Sequence, residues 1–383
     1  MAEEMTTSET APFPAVIGQI EQRQLMARII STGRLAHAYL FVGPEGSGKR
    51  TLAIEMARVL NCPKGVETSL GGCDCHSCTS MMKWRHPNLW TIFPLPALKL
   101  GEKEEGKASD EVHNLLLSQL AIDAYTPLRY ERTGKILIDH VREARKKVSF
   151  AQGLSGIRVL FIHPADAMNE QSSNALLKLL EEPPEKCLLI LTTESTRDVL
   201  PTILSRCQQV HLTPLPRGDI TEALILAKSI EPTRASTIAA LSNGSYTQAL
   251  EWLGEKTEEI ASDGLEFLRS VATGNVGKIT ELIEKWAAED ATRSELKGRL
   301  DITSLWILDA LTVLGASDGS PQVPLRIHGS GQNVARMAER YGASRLIEIL
   351  GELEEAKLAI DTNAMQTLVL TTLSIKLKRI FQS

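Results

Sequence analysis

Short, nearly continuous apolar runs recur through the first half of the chain, separated by stretches where apolar residues return every three or four positions. Tyr39–Val42 (YLFV) reads as a short strand, and Gln208–Leu212 (QQVHL) closes the region. Ile157–Ile162 (IRVLFI) and Cys187–Thr192 (CLLILT) lack any inside–outside alternation, as expected of central strands buried on both faces. Leu52, Ala53, Met56, Ala57 and Leu60 fall on one helical face, and a second helix is expected around Ala175–Leu180. Strand alternating with helix predicts an α/β domain with a parallel sheet over residues 15–215.

After Pro214 and Pro216 the strand signal stops. Asp219–Lys228, Thr233–Leu241 and Tyr246–Leu253 read as three short helices, predicting a small helical lid over 216–256. Longer amphipathic stretches follow, with Leu346, Ile349, Leu350, Leu353 and Ile360 on one stripe. They predict an all-α C-terminal domain over 257–383. The charged run GEKEEGKASDE marks 95–134 as a partly ordered surface insertion, and the acidic, polar residues 1–14 read as a disordered tail.

Composition narrows the function classes only a little. A chain of 383 residues exceeds one ordinary core. A net charge of −5 argues against wholesale coating of DNA, which relies on many Lys and Arg neutralising phosphates. No apolar run approaches the roughly 20 residues of a membrane helix, and the N-terminus has no basic–apolar leader. The expectation is a cytoplasmic chain without membrane contact. Four of the six cysteines, Cys62, Cys73, Cys75 and Cys78, crowd into 17 residues, which favours a metal site over disulfides.

Gly43-Pro-Glu-Gly-Ser-Gly-Lys49-Arg50-Thr51 follows a strand and opens a helix. This is the setting of a phosphate-binding P-loop. Gly43, Gly46 and Gly48 let backbone N–H groups approach phosphates, Lys49 reaches the outer oxygens, and the helix N-terminus favours negative charge. The position after the lysine, where a hydroxyl would hold Mg²⁺, is Arg50, and Thr51 comes one residue late and points about 100° away. ATP or ADP binding is expected of a degenerate site, hydrolysis is not.

The stretch Arg158-Val-Leu-Phe-Ile-His-Pro-Ala-Asp166, followed by Asn174-Ala-Leu-Leu-Lys178 and Leu180-Glu-Glu-Pro-Pro184, resembles the clamp-loader branch of the AAA+ ATPases. In that family the strand ends in an Asp-Glu pair that holds Mg²⁺ and polarises water. His163-Pro164 stand there instead, and neither supplies the hard oxygen that Mg²⁺ prefers. A lid arginine expected near the γ-phosphate corresponds to Thr247. Leu204-Ser205-Arg206-Cys207, by contrast, matches the family's Ser-Arg-Cys motif, implying that Arg206 is an arginine finger acting in a neighbouring subunit's ATP site.

The resemblance runs from about Ile17 to Leu212, with a fainter echo in the helices after Asn363. It implies an AAA+ domain, a lid and a collar domain. The implied function is a non-motor subunit of the bacterial DNA polymerase III loader, of the delta-prime type. Its partners would be gamma/tau and delta subunits, the sliding clamp and, through the complex, primer–template DNA. The alternative is an active gamma/tau-type ATPase. Family members carry a structural zinc module near this place, so Cys62, Cys73, Cys75 and Cys78 are its expected ligands although one interval is compressed. His76 is a possible substitute.

Other conspicuous residues receive plainer readings. The five tryptophans fill core or interface, His37 is structural, and the basic run Arg142, Arg145, Lys146 and Lys147 is a solvated helix face.

Overall fold

The computed structural model describes residues 11–95, 102–128, 134–150, 155–253, 257–288, 293–316, 325–327, 331–362 and 364–382. Two compact units account for the chain, one formed by Met1–Ile220 with Gly244–Leu250 and the other by Thr221–Asn243 with Glu251–Ser383. The lid anticipated over 216–256 is therefore shared out between the two units. Residues 244–250 group with the α/β unit because the Tyr246 amide donates to the Gly46 carbonyl and the Thr247 hydroxyl to the Tyr125 carbonyl.

The first unit is built on five parallel strands, β1 (Ala38–Val42), β2 (Leu89–Ile92), β3 (Arg158–Ile162), β4 (Cys187–Thr193) and β5 (Gln208–His211), in the order β2-β3-β4-β1-β5. Alternate side chains serve two cores. Tyr39, Phe41, Val159, Phe161, Leu188 and Ile190 pack on one face, while Leu40, Leu160, Ile162, Leu189 and Leu191 pack on the other. Burial on both faces explains why these strands read as unbroken apolar runs.

Helices α1 (Ile20–Ser31), α2 (Lys49–Leu60), α3 (Val66–Leu70), α4 (His76–Met82) and α5 (Glu102–Ile122) lie before β3, as does α6 (Ile138–Phe150). Helices α7 (Glu170–Glu181) and α8 (Pro201–Leu204) complete the α/β region. On α6, Val141, Ala144 and Val148 are buried whereas Arg142, Lys146 and Lys147 are exposed, and Asp139 and Glu143 pair with Arg142 and Lys147. The basic run is a solvated face.

Two expectations need correction. Residues 1–10 lie outside the described residues, but the tail does not extend to residue 14. Phe13 is fully buried and its amide donates to the Leu70 carbonyl, so an aromatic anchor holds this segment. Nor is 95–134 merely a surface insertion. Residues 96–101 and 129–133 lie outside the described residues, yet α5 buries Leu116 and Leu120 in the sheet core, and the following turn buries Tyr125. Charge at the start of the segment hid an apolar stripe further along.

The second unit is helical. It holds α10 (Pro232–Leu241), α12 (Thr257–Thr273), α13 (Val276–Trp286), α14 (Arg293–Leu314), α15 (Gly331–Asp361) and α16 (Gln366–Gln382). Helices α9 (Arg217–Lys228) and α11 (Tyr246–Leu253) divide between the units. Leu346, Ile349, Leu353 and Ile360 are fully buried, as their spacing predicts, and Asn363 lies outside the described residues. Buried Asp309 accepts from the backbone amides of Arg326 and Ile327 and from the Arg326 guanidinium, so its charge is fully answered. No described helix is long and apolar enough to cross a membrane.

One glycine in this unit makes a prediction of sign. A Cβ at Gly298 would sit 2.4 Å from the Trp252 ring. Gly→Ala inside a helix ordinarily stabilises by about 1 kcal/mol, but overpacking against a rigid ring costs about 1–3 kcal/mol. Gly298→Ala is therefore expected to lower the urea midpoint, and a raised midpoint would show that Trp252 yields freely.

Candidate functional site

The carboxyl ends of β1, β3 and β4 deliver the site, as in other parallel sheets. β1 runs into Gly43, whose amide donates to the Thr193 carbonyl and whose missing Cβ lets the Leu212 carbonyl approach to 2.4 Å of that position. Gly46 and Gly48 have φ of 73° and 100°, values that disfavour any side chain, and Gly48 caps α2. The geometry of a P-loop is thus present.

Its occupants differ from those of a working one. The Lys49 ammonium is buried and donates to two carbonyls of its own loop, Gly43 at 2.5 Å and Pro44 at 2.7 Å. Burial lowers its pKa to about 8, opposed by Glu194 and assisted by the neighbouring Arg50. Arg50 is also buried, and its guanidinium donates to the Thr126 carbonyl at 2.9 Å. Thr51 is buried beneath the loop. His163 pairs through Nδ1 with the Thr192 hydroxyl at 2.6 Å; burial, with Arg50 and Lys49 nearby, holds it well below the usual imidazole value and so neutral. Asp166 accepts from the Thr193 hydroxyl at 2.7 Å.

These groups line a cavity of about 310 Å³, small for a ligand pocket, together with Glu45, Glu194, Tyr125 and Thr247. At the two positions where the family's residues hold Mg²⁺, the side chains are a guanidinium and a neutral imidazole. Neither is a hard-oxygen donor, so this pair does not fit the ion.

The cysteines are brought together. Cys62 lies just past α2, Cys73 and Cys75 on the connecting turn, and Cys78 in the first turn of α4, with all four sulfurs within 4.8 Å of one another. Cys62 Sγ is 3.7 Å from Cys73 Sγ and 3.9 Å from Cys75 Sγ. Tetrahedral thiolate ligation at about 2.3 Å requires sulfurs about 3.8 Å apart. The donor set therefore fits a four-coordinate metal such as Zn²⁺, and the short Cys73–Cys75 interval is accommodated because Cys75 caps α4. The Cys78 backbone N–H lowers the Cys75 thiol to about 7, whereas burial raises Cys78. His76 is exposed and outside the cluster, so it is not a substitute ligand.

Glu55 and Arg58 tie the two regions together. Their buried ion pair spans 2.5 Å, with Glu55 accepting from the Ala15 amide and Arg58 donating to the Ser69 carbonyl beside Cys78. The same helix thus opens on the phosphate loop at Gly48 and, through Arg58, contacts the cysteine module.

Arg206 follows α8, apart from the residues that line the P-loop cavity. Its side chain is 36% exposed and donates to Glu181 at 2.8 Å and to the Thr202 carbonyl at 3.1 Å. Cys207 beside it is buried.

Residues 18–216, over half of the chain, match the family model described as DNA polymerase III, delta subunit. The chain belongs to this DNA polymerase III clamp-loader family. A delta′ subunit of DNA polymerase III from Pseudomonas aeruginosa is 30% identical over 268 residues, covering 69% of this chain and 70% of its own length. The tau subunit of Escherichia coli is 32% identical over 244 residues, 62% of this chain but 32% of that longer protein. Among solved structures, a gamma-subunit-related protein of Thermotoga maritima aligns with a TM-score of 0.41 and 17% identity, covering 93% of this chain and 99% of its own. The likeness thus extends to both delta′ and tau subunits of DNA polymerase III.

The roles of four site residues, Tyr125, Glu55, Arg58 and Glu181, are not legible in the linear sequence. Tyr125 lies 77 positions from the Gly48 it faces, in a segment read as surface. Glu55 and Arg58 stand at ordinary i,i+3 spacing, but both are buried together with Leu52, Met56 and Val59 of the same helix. Glu181 was visible as part of Glu-Glu-Pro-Pro, but its pairing with Arg206 follows from tertiary structure alone.

Proposed function

We propose that the chain is a delta-prime-type subunit of a bacterial clamp loader that supports ATP-driven loading of the sliding clamp without hydrolysing ATP itself. The carrying observation is a contrast within one domain. Arg50 and His163 occupy the metal-holding positions of the P-loop cavity, while Arg206 stands partly exposed outside it. A guanidinium presented in this way suits stabilisation of charge on a phosphoryl group held by another subunit. Gamma/tau and delta subunits, the clamp and primer–template DNA are the partners on this reading, and Cys62, Cys73, Cys75 and Cys78 hold a structural zinc that keeps the module folded.

Steady-state ATPase assays separate this from an active gamma/tau-type motor. The isolated chain is expected to release no phosphate above background with Mg²⁺ present, while assembling stably with gamma/tau and delta subunits. Turnover by the chain alone would place it among the motors. Failure to enter the complex would remove it from the loader.

A further inference from the structure

Two of the departures from a working ATPase, Arg50 and Thr247, share a contact that their separate positions in the sequence conceal. The Arg50 guanidinium donates to the Thr126 carbonyl at 2.9 Å, and the Thr247 hydroxyl donates to the adjacent Tyr125 carbonyl at 2.7 Å. The same turn is held from a third side, where the Tyr125 hydroxyl accepts from the Ile17 amide at 3.0 Å. That hydroxyl would stand 2.8 Å from a Cβ on Gly48, so the ring end lies directly over the glycine that caps the phosphate-binding helix. The Tyr125 ring meets Tyr246 edge-on at 5.0 Å, and the Tyr246 amide donates to the Gly46 carbonyl. Gly46 is covered as well, since a Cβ there would lie 2.1 Å from the Ser245 hydroxyl oxygen and 2.8 Å from the Thr247 nitrogen. Lys49, finally, is turned onto the carbonyls of Gly43 and Pro44.

We infer that the P-loop of this chain binds a segment of its own, the turn Ala124–Thr126, and that Arg50 and Thr247 are the residues that grip it. The two substitutions are then more than lost catalytic groups. A residue that would face a metal and one that would face the outer phosphate have both become donors to consecutive backbone carbonyls. The Arg50 guanidinium, the Thr247 hydroxyl and the Lys49 ammonium, which a nucleotide would meet, all donate to carbonyls of the chain itself. A nucleotide must displace the turn before it can seat, so its apparent affinity is divided by the small fraction of molecules in which the turn is open. The inference rests on the reading that the chain does not turn over ATP and goes further, because a dead ATPase could still bind nucleotide tightly.

Fluorescent mant-ADP with Mg²⁺ tests it on the full chain. Wild type is expected to show no saturable binding at micromolar concentration, and Arg50→Thr/Tyr125→Ala/Thr247→Arg to bind at least about tenfold more tightly, with thermal melting confirming that the variant is folded. Micromolar binding by wild type overturns the inference, as does a folded triple variant that binds no better. Hydrogen exchange on wild type provides an arm that needs no variant. The amides of Ile17 and Gly46–Lys49 are expected to exchange at the same rate with and without millimolar Mg-ADP, and slowed exchange on adding nucleotide contradicts the inference. Tight mant-ADP binding without phosphate release would leave the non-motor reading standing, whereas phosphate release by wild type would sink that reading separately.

Discussion

Replacing Arg206 by alanine is expected to cripple a reconstituted loader while leaving the isolated chain folded. The side chain is partly exposed, and its described contacts are polar ones on the rim of its own domain. Losing an exposed pair costs at most about 1 kcal/mol, so the melting temperature should hardly move. The effect at a neighbour's phosphates is of another order. A guanidinium that stabilises the transferring group contributes a factor of about 10³ or more at the site it serves. The measurement is clamp- and primed-DNA-stimulated ATP hydrolysis by the whole complex, with clamp loading followed in parallel. Unchanged hydrolysis and loading with Arg206→Ala would reduce the residue to a surface arginine beside a buried cysteine. Arg206→Lys is the informative companion, because it keeps the charge but loses the planar fork.

Removing the metal is expected to have the largest effect on stability. Four thiols within 4.8 Å of one another suit a bound cation, and structural zinc contributes about 10–16 kcal/mol in small peptide sites. In this chain the loss would spread beyond the turn. Cys78 is fully buried, Met81 and Trp84 belong to the sheet core, and Trp84 meets Phe161 of β3 edge-on at 5.2 Å. Purified protein should carry about one zinc per chain, and chelation or Cys62→Ser should lower the melting temperature by about 10 °C or more. Protein prepared under reducing conditions with no metal and an unchanged melting curve would leave the cluster as four free thiols.

Much of this could be read from residues alone, and the parts that could not share a cause. β1, β3 and β4 announce themselves because burial on both faces forces apolar residues at every position. β2 does not, since Leu89, Trp90 and Thr91 at the sheet edge are only half-buried and too few to make a pattern. The P-loop and the Ser-Arg-Cys motif are contiguous, so their chemistry is printed in order. Tyr125 is legible only through partners 108 and 122 positions away, Ile17 and Thr247. Local charge in α5 pointed to the surface, whereas Leu116 and Leu120 decided the packing. The cysteine spacing pointed to the four thiols that the fold brings together, and Cys75 opens α4 at the compressed interval.

The Arg206–Glu181 pair bears on how the subunit meets its neighbours. Before assembly the cation is already answered by a carboxylate on its own domain, so the isolated chain does not offer this arginine as bare charge to any passing polyanion. On the proposed reading of Arg206 as an arginine finger, docking would proceed by exchange, with the guanidinium leaving Glu181 for the incoming phosphates. An exchange of this kind discriminates, because only a site with more concentrated negative charge than one carboxylate can win the arginine over. On that reading Glu181 would set a threshold for partner choice.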